Sequence, residues 1–238
     1  MSNSTISTIN PTAAIKRPAP DAALQVAVAE KSALVMSRLN TIIDRHPNVV
    51  LANSLGAEDM VLMDMICKDN LPIGIFTLDT GRLNEETYTL LAQVQKQYGR
   101  DIQIMSPDYK LLEPWVRDHG INGFYDSVEN RKACCQIRKL EPLARALKDK
   151  DAWITGLRAA QSVTRQNMDW EEFDTSEKEI WAYIDLNQVP YNALHDRFYP
   201  SIGCAPCTRA ITSGEDVRAG RWWWENPETK ECGLHKAK

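Results

Sequence analysis

Between residues 48 and 105 the chain alternates short apolar runs with helical patterns, and few architectures accommodate that order. Residues 48–53 (NVVLAN) form a β-branched run that stops at Ser54, Leu55 and Gly56 and passes directly into a helical pattern over 59–68. Residues 73–78 are the second strand candidate, closed by Asp79, Thr80 and Gly81; 84–98 is the next helix and 101–105 the third strand. Strands joined through helices run parallel, and such a sheet is covered on both faces. Upstream, 22–45 has helical periodicity. Downstream, 138–148 reads as helix, 152–155 as a strand ending at Gly156, and 177–184 as an amphipathic helix capped by Thr175 or Ser176. The last forty residues are short turns with Pro, Gly and Cys. The expected fold class is α/β with a Rossmann-like parallel sheet.

In such a sheet, ligands sit beyond the carboxyl ends of the strands. Three strand candidates end in glycine-bearing loops: SLGAED (54–59), DTGR (79–82) and TGLR (155–158). In the first, Ser54, Gly56, Ala57, Glu58 and Asp59 join a strand to a helix, so backbone N–H groups and the helix dipole can face an anion. Taken alone, the loop is better explained by Ser54 and Asp59 merely capping the helix. No Gly-Lys-Ser/Thr follows, so it is not a Walker A loop. Asp79, Thr80, Gly81 and Arg82 offer a hydrogen-bond acceptor for a ribose or adenine and a cation, or a plain turn. Gly156, Arg158 and Arg165, with hydroxyls at 162 and 164, suit forked recognition of an oxyanion.

The six cysteines, at 67, 134, 135, 204, 207 and 232, do not read as disulfides. Cys67 lies on the apolar face of a helix and reads as packing. Cys134–Cys135 is flanked by basic residues on both sides, and Cys204-x-x-Cys207 is held by Gly203 and Pro206. Four thiolates in two close pairs suit a tetrahedral zinc or a cubane iron–sulfur cluster. Adjacent cysteines diverge, which favours a cluster with corners farther apart. Cys232 stands alone in KECGLH, beside a lysine and a histidine, the setting of a reactive thiolate. Upstream of it, Arg218, Arg221 and Trp222–Trp224 form a basic aromatic patch, read as an anchor for the tail segment. The net charge of −4 gives no global footprint for nucleic acid. The first twenty residues lack the apolar stretch of a signal peptide, and no later run is membrane-length, so a cytoplasmic protein without membrane or nucleic-acid partners is expected.

Taken together, SLGAED, LDTGR, CCQIRK, GLRAAQSVTR, YPSIGCAPCTRA, EDVRAGRWWWE and ECGLH resemble the adenylyl-sulfate/phosphoadenylyl-sulfate reductase family, in its cluster-containing branch. They run in order from about residue 50 to 235. The resemblance implies a sheet of the adenine nucleotide alpha hydrolase (PP-loop) type. It implies a [4Fe–4S] cluster on Cys134, Cys135, Cys204 and Cys207, and Cys232 as the nucleophile on a mobile tail. It further implies adenosine 5′-phosphosulfate as substrate, with Lys139, Arg165, Arg218, Arg221 and His235 facing its phosphosulfate. The reductant would be a thioredoxin or glutaredoxin, and the chain could form a homo-oligomer. The organisation expected is a disordered arm over 1–20, a nucleotide-binding domain over 21–200 and a cluster-binding, catalytic segment over 201–238. One departure stands out: residues 167–174 run almost directly into the 175–184 helix, where the family has a longer loop and a further strand. The nearest rival is the same chemistry on 3′-phosphoadenylyl sulfate. A tRNA-thiolating adenylating enzyme is disfavoured by the loop sequence and the acidic balance, and a zinc module leaves ECGLH without a purpose.

Overall fold

The computed structural model describes residues 15, 17–157, 176–226 and 230. Helix α1 (Ala22–Arg45) opens on Asp21, whose carboxylate accepts from Leu24 N–H at 2.8 Å. Then come β1 (Val49–Ala52), α2 (Ala57–Lys68), β2 (Gly74–Leu78), α3 (Glu85–Tyr98) and β3 (Gln103–Met105), all close to the bounds the periodicity predicts. Gly99 ends α3 in the left-handed region (φ +57°), the C-cap conformation that glycine adopts without strain.

Two further helices, α4 (Tyr109–His119) and α5 (Val128–Cys135), fall in a stretch whose pattern does not announce them. Pro114 lies inside α4, a residue that ordinarily argues against a helix interior. Side chains start both helices, Asp108 accepting from Lys110 N–H and Ser127 from Asn130 N–H. The chain then widens into a π-turn over Gln136–Leu140 and tightens into α6 (Glu141–Ala146), so the expected helix over 138–148 is shorter and begins irregularly. Such bulges are frequent at functional sites. This one immediately follows Cys134–Cys135 and carries Lys139. β4 (Ala152–Ile154) and α7 (Glu177–Asn187) follow among the described residues, α7 with a full capping box between Ser176 and Glu179.

The sheet is parallel throughout, in the order β3-β2-β1-β4. From central β1 the chain builds outward through β2 and β3, then returns to place β4 on the other side. That reversal opens a crevice at the carboxyl ends of β1 and β4. Alternation along β1 sends Val49 and Leu51 into one core with residues of α1, α2, α3 and α7, and Val50 into a second with Phe76, Leu143 and Ala146. Both faces are therefore covered. Cys67 packs against the first core.

Asp64, 1% exposed, ties three helices together: it accepts from Tyr98 OH and Tyr183 OH, each at 2.8 Å, and pairs with Lys68 at 2.9 Å. The C-terminal segment is held by short turns, as expected, and by an isolated bridge between Thr208 and Arg221. Near the N-terminus, Ile15 N–H donates to Asp196 O at 2.9 Å. Arg17 pairs with the Asp196 carboxylate and lies 3.5 Å from the Trp181 ring centroid. Among the described residues no helix is long and apolar enough to cross a membrane.

Candidate active site

The loop after β1 is shaped by Asn53, whose Oδ1 accepts from Leu55 N–H at 2.6 Å. That turn holds Leu55 in the left-handed region (φ +62°) with its side chain in the core. Gly56 is the N-cap of α2, and no side chain caps it. The helix therefore presents its first-turn N–H groups and the positive end of its dipole at this loop. Asp59 is not a cap. Its carboxylate accepts from Ser54 N–H at 2.8 Å, Ser54 Oγ–H at 2.5 Å and Gly156 N–H at 2.6 Å, fastening the β1 loop to the β4 loop across the crevice. Burial raises the Asp59 carboxyl above its ordinary value, against those three bonds.

A cavity of about 230 Å³ fills the crevice. Phe76, Leu78, Leu143 and Trp153 give it an apolar wall, and Ser54, Gly56, Glu58 and Gly156 a polar floor. Lys139, Arg218 and Arg221 bring three cationic side chains to it, and Ser201, Ile202 and Gly203 approach from the C-terminal segment. An apolar slot beside clustered cations and a helix N-terminus suits a flat heteroaromatic group joined to an anion. Arg218 also donates to Lys230 O at 3.2 Å, so residue 230 lies near the cavity, two positions before Cys232.

The paired cysteines converge beside this cavity. α5 carries Cys134 and Cys135; a single 3₁₀ turn over Ala205–Cys207 sets Cys207 after Cys204, with Ala205 N–H bonded to Arg82 O at 2.8 Å. All four thiols are buried and line one small second cavity with Phe124, Arg131, Arg138, Lys139 and Trp222. Cys204, Lys139 and Trp222 line both cavities, so the two sites share a wall. Cys204 Sγ lies 3.2 Å from Thr80 Oγ1. Burial, then the neighbouring Cys204 and Cys135 thiols, pushes Cys207 up to about 12; burial also raises Cys134, opposed by Arg138. Among the described residues, Arg138 Nε and Trp222 Nε1 are buried on this wall without partners, as is Arg221 Nε on the wall of the larger cavity. Arg131 and Glu225, both buried, form a bidentate pair at 2.8 Å that ties α5 to the tryptophan segment. Trp222 lies between the guanidinium groups of Arg131 (4.7 Å) and Arg221 (4.9 Å). Trp224 packs on Tyr125 while Trp223 is 41% exposed, so the patch anchors this segment. Among the described residues no group of three or more His, Cys, Asp or Glu is spaced to hold a metal ion.

Residues 48–210 match the model of the phosphoadenosine phosphosulfate reductase domain. The chain belongs to this reductase family. It is 53% identical over 219 residues to an adenosine 5′-phosphosulfate reductase of Allochromatium vinosum, covering 87% of this chain and 86% of that protein. It is 48% identical over 230 residues to a protein of the same name from Burkholderia cepacia, covering 90% and 92%. Among solved structures, a phosphoadenylyl-sulfate reductase from Candida auris, determined as a phosphate complex, superimposes with a TM-score of 0.59 at 23% identity, over 83% of this chain and all of that one. An FMN adenylyltransferase of Candida glabrata gives 0.51 at 12% identity, over 93% and 81%. These two bear on the fold alone, an α/β architecture around a parallel sheet.

Of the residues expected from the sequence to bind substrate, Ser54, Gly56, Glu58, Asp59, Thr80, Lys139, Gly156, Arg218 and Arg221 line the cavity. Ala57, Asp79, Gly81 and Arg82 do not line it. Ala57 is buried in the first turn of α2. Asp79 accepts from Tyr88 OH at 2.7 Å and Gly81 N–H at 2.8 Å; Arg82 reaches away to Ile121 O and Asn122 Oδ1 and sits 5.0 Å from the Phe124 ring. Arg82 thus braces the loop over the cysteines. Arg158, Arg165, Cys232 and His235, and the short 167–174 stretch, lie outside the described residues. Sequence reasoning missed Asn53, Trp153 and His195. An Asn directly before a Ser-Leu-Gly turn is a readable signal for the first. Nothing local distinguishes the other two.

Proposed function

We propose that this reductase acts on adenosine 5′-phosphosulfate, giving sulfite and AMP in assimilatory sulfate reduction, with electrons from a thioredoxin- or glutaredoxin-type dithiol. The observation that carries this reading is the shared wall between the cavity and the cysteine site: Lys139 and Cys204 line both, and the larger cavity also has an apolar slot. The adenine would lie against Phe76, Leu78, Leu143 and Trp153, and the phosphosulfate toward Lys139, Arg218 and Arg221, with Arg165 and His235 completing its anion contacts. Relatives named for the unphosphorylated nucleotide support it over 3′-phosphoadenylyl sulfate.

Cys232 is the nucleophile in this reading. Its thiolate attacks the substrate sulfur, an S–S bond forms, and the S–O bond to the phosphate breaks with its electron pair leaving on AMP. A thiolate approaching an anion needs the cations to offset repulsion. The Arg218–Lys230 contact, two residues upstream, supports Cys232 reaching this place. A reductant thiolate then attacks the Cys232 sulfur, sulfite departs with the bonding pair, and the second reductant thiol resolves the mixed disulfide.

Cys134, Cys135, Cys204 and Cys207 fit a [4Fe–4S] cluster: four buried thiols on one apolar cavity, with unpartnered Arg138 and Trp222 N–H groups on the same wall. When bound it supplies structure and local electrostatics, not electrons to the substrate. Residues 21–200 form the nucleotide-binding unit and 201–238 the cluster and catalytic segment; within the expected disordered arm, Ile15 and Arg17 are instead held at Asp196 and Trp181. A cytoplasmic location suits thiols that carry no disulfide.

Anaerobic incubation with adenosine 5′-phosphosulfate and no reductant, followed by intact mass, tests the reading. A sulfonate-sized gain on the wild type, absent from Cys232→Ser and lost with release of sulfite when thioredoxin is added, is expected. No adduct with this nucleotide, but one with its 3′-phosphorylated form, would transfer the assignment to the latter.

A further inference from the structure

The short 3₁₀ turn Ala193–Arg197 reaches the cavity through one side chain that the proposed chemistry leaves unused. Asn192 fixes the turn at both ends of its carboxamide: Oδ1 accepts from Leu194 N–H at 3.0 Å, and Nδ2 donates to Thr87 Oγ1 of α3 at 2.9 Å. His195 follows, 6% exposed, with the Trp181 ring edge-on at 5.3 Å. It lines the same cavity as Ser54, Gly156 and Arg221, next to Ser201 and Ile202. Its Nε2 is buried and has no hydrogen-bond partner among the described residues.

The imidazole is neutral, because burial first and Arg17 second lower its pKa to about 4. Its ring bonds to the Tyr199 backbone in the sense that favours a proton on the ring, which is donation to a carbonyl. A neutral imidazole has one N–H, so with that proton committed to Tyr199 the other nitrogen, Nε2, presents a lone pair. A buried acceptor left without a partner is destabilising, and native structures seldom keep one without use. Its place on the cavity wall supplies a partner whenever a ligand with a suitably placed donor occupies the cavity.

We propose that His195 Nε2 accepts a hydrogen bond from an O–H or N–H group of the bound nucleoside and so helps determine which nucleotides the site admits. The inference rests on the nucleotide reading above and names a specificity residue within it. A hydroxyl or amine serves the lone pair. A phosphate ester at the same point offers only acceptor oxygens and negative charge, so the contact selects against phosphorylation there.

Calorimetric titration of the full-length, cluster-loaded protein with AMP, 2′-deoxy-AMP, 3′-deoxy-AMP and inosine monophosphate tests it, each ligand against wild type, His195→Gln and His195→Phe. One analogue, the one lacking the contacted donor, is expected to bind the wild type about tenfold more weakly than AMP. That discrimination falls to about twofold or less in His195→Phe and is retained in His195→Gln, whose amide oxygen is an acceptor. Where the phenylalanine variant does not fold, His195→Leu takes its place. Equal penalties in wild type and the apolar variant for all three analogues would overturn the inference while leaving the nucleotide reading intact. A wild type that binds none of the four ligands would sink the nucleotide reading and this inference with it.

Discussion

The joint between the β1 and β4 loops has no slack at Gly156. A Cβ there would lie 2.6 Å from Asp59 Oδ1, 2.7 Å from Asp59 N and 2.8 Å from Glu58 Cβ. The last two atoms belong to the first turn of α2 and cannot rotate away, so in Gly156→Ala the β4 loop must withdraw. Withdrawal stretches the 2.6 Å bond from Gly156 N–H to the Asp59 carboxylate, which also holds Ser54. Overpacking of this kind costs roughly 1–3 kcal/mol, and a hydrogen bond to a charged group contributes roughly 1.5–3 kcal/mol. One displacement causes both losses, so they overlap and the sum is about 2–4 kcal/mol. Urea unfolding would register this as a midpoint lowered by on the order of 1 M. Calorimetry with AMP should show weaker binding, because the moved loop forms the cavity floor. A variant within about 0.5 kcal/mol of wild type and with unchanged AMP affinity would refute the reasoning.

Arg131→Leu removes the bidentate partner of Glu225, whose side chain is 3% exposed; a loss of roughly 3–5 kcal/mol is expected in denaturant titrations. Tyr183→Phe removes one donor from buried Asp64 and should cost roughly 1.5–3 kcal/mol in the same assay. His195, lowered from 6.5 to about 4 by burial and Arg17, makes stability depend on pH: the unfolded chain takes its proton near 6.5, the folded one only near 4. This contribution is intact above pH 6.5 and falls by about 3 kcal/mol on descending to pH 4. The His195→Phe variant should lack that part of the slope in unfolding midpoints followed against pH. Replacing Cys134 or Cys204 by serine should give colourless protein, read by visible absorption, if the four thiols hold a cluster.

The sequence by itself determined the alternation of strands and helices from α1 to β3, because the period of apolar residues and the glycines that end each run are local properties. The short β-branched run over Val49–Ala52 followed by Ser-Leu-Gly could fold in few other ways. The pairing of Cys134–Cys135 with Cys204–Cys207 was equally legible, since nothing but a shared site explains two tight pairs of thiols. α4 was not, because Pro114 masks its period and packing overrides that signal. That β4 pairs with β1 and opens the crevice there emerged only from packing, since strand order depends on how helices lie over the sheet. The same holds for the split among expected site residues: Asp79 and Arg82 belong to a glycine-bearing loop like Ser54 and Gly156, yet both turn to protein partners. Asp59, which reads as a helix cap, becomes a bridge between two loops because Gly156, 97 positions along the chain, comes to rest against it. His195 carries no local mark at all, for a histidine becomes neutral, buried and unpartnered only through neighbours such as Arg17 and Trp181 that folding brings from distant positions.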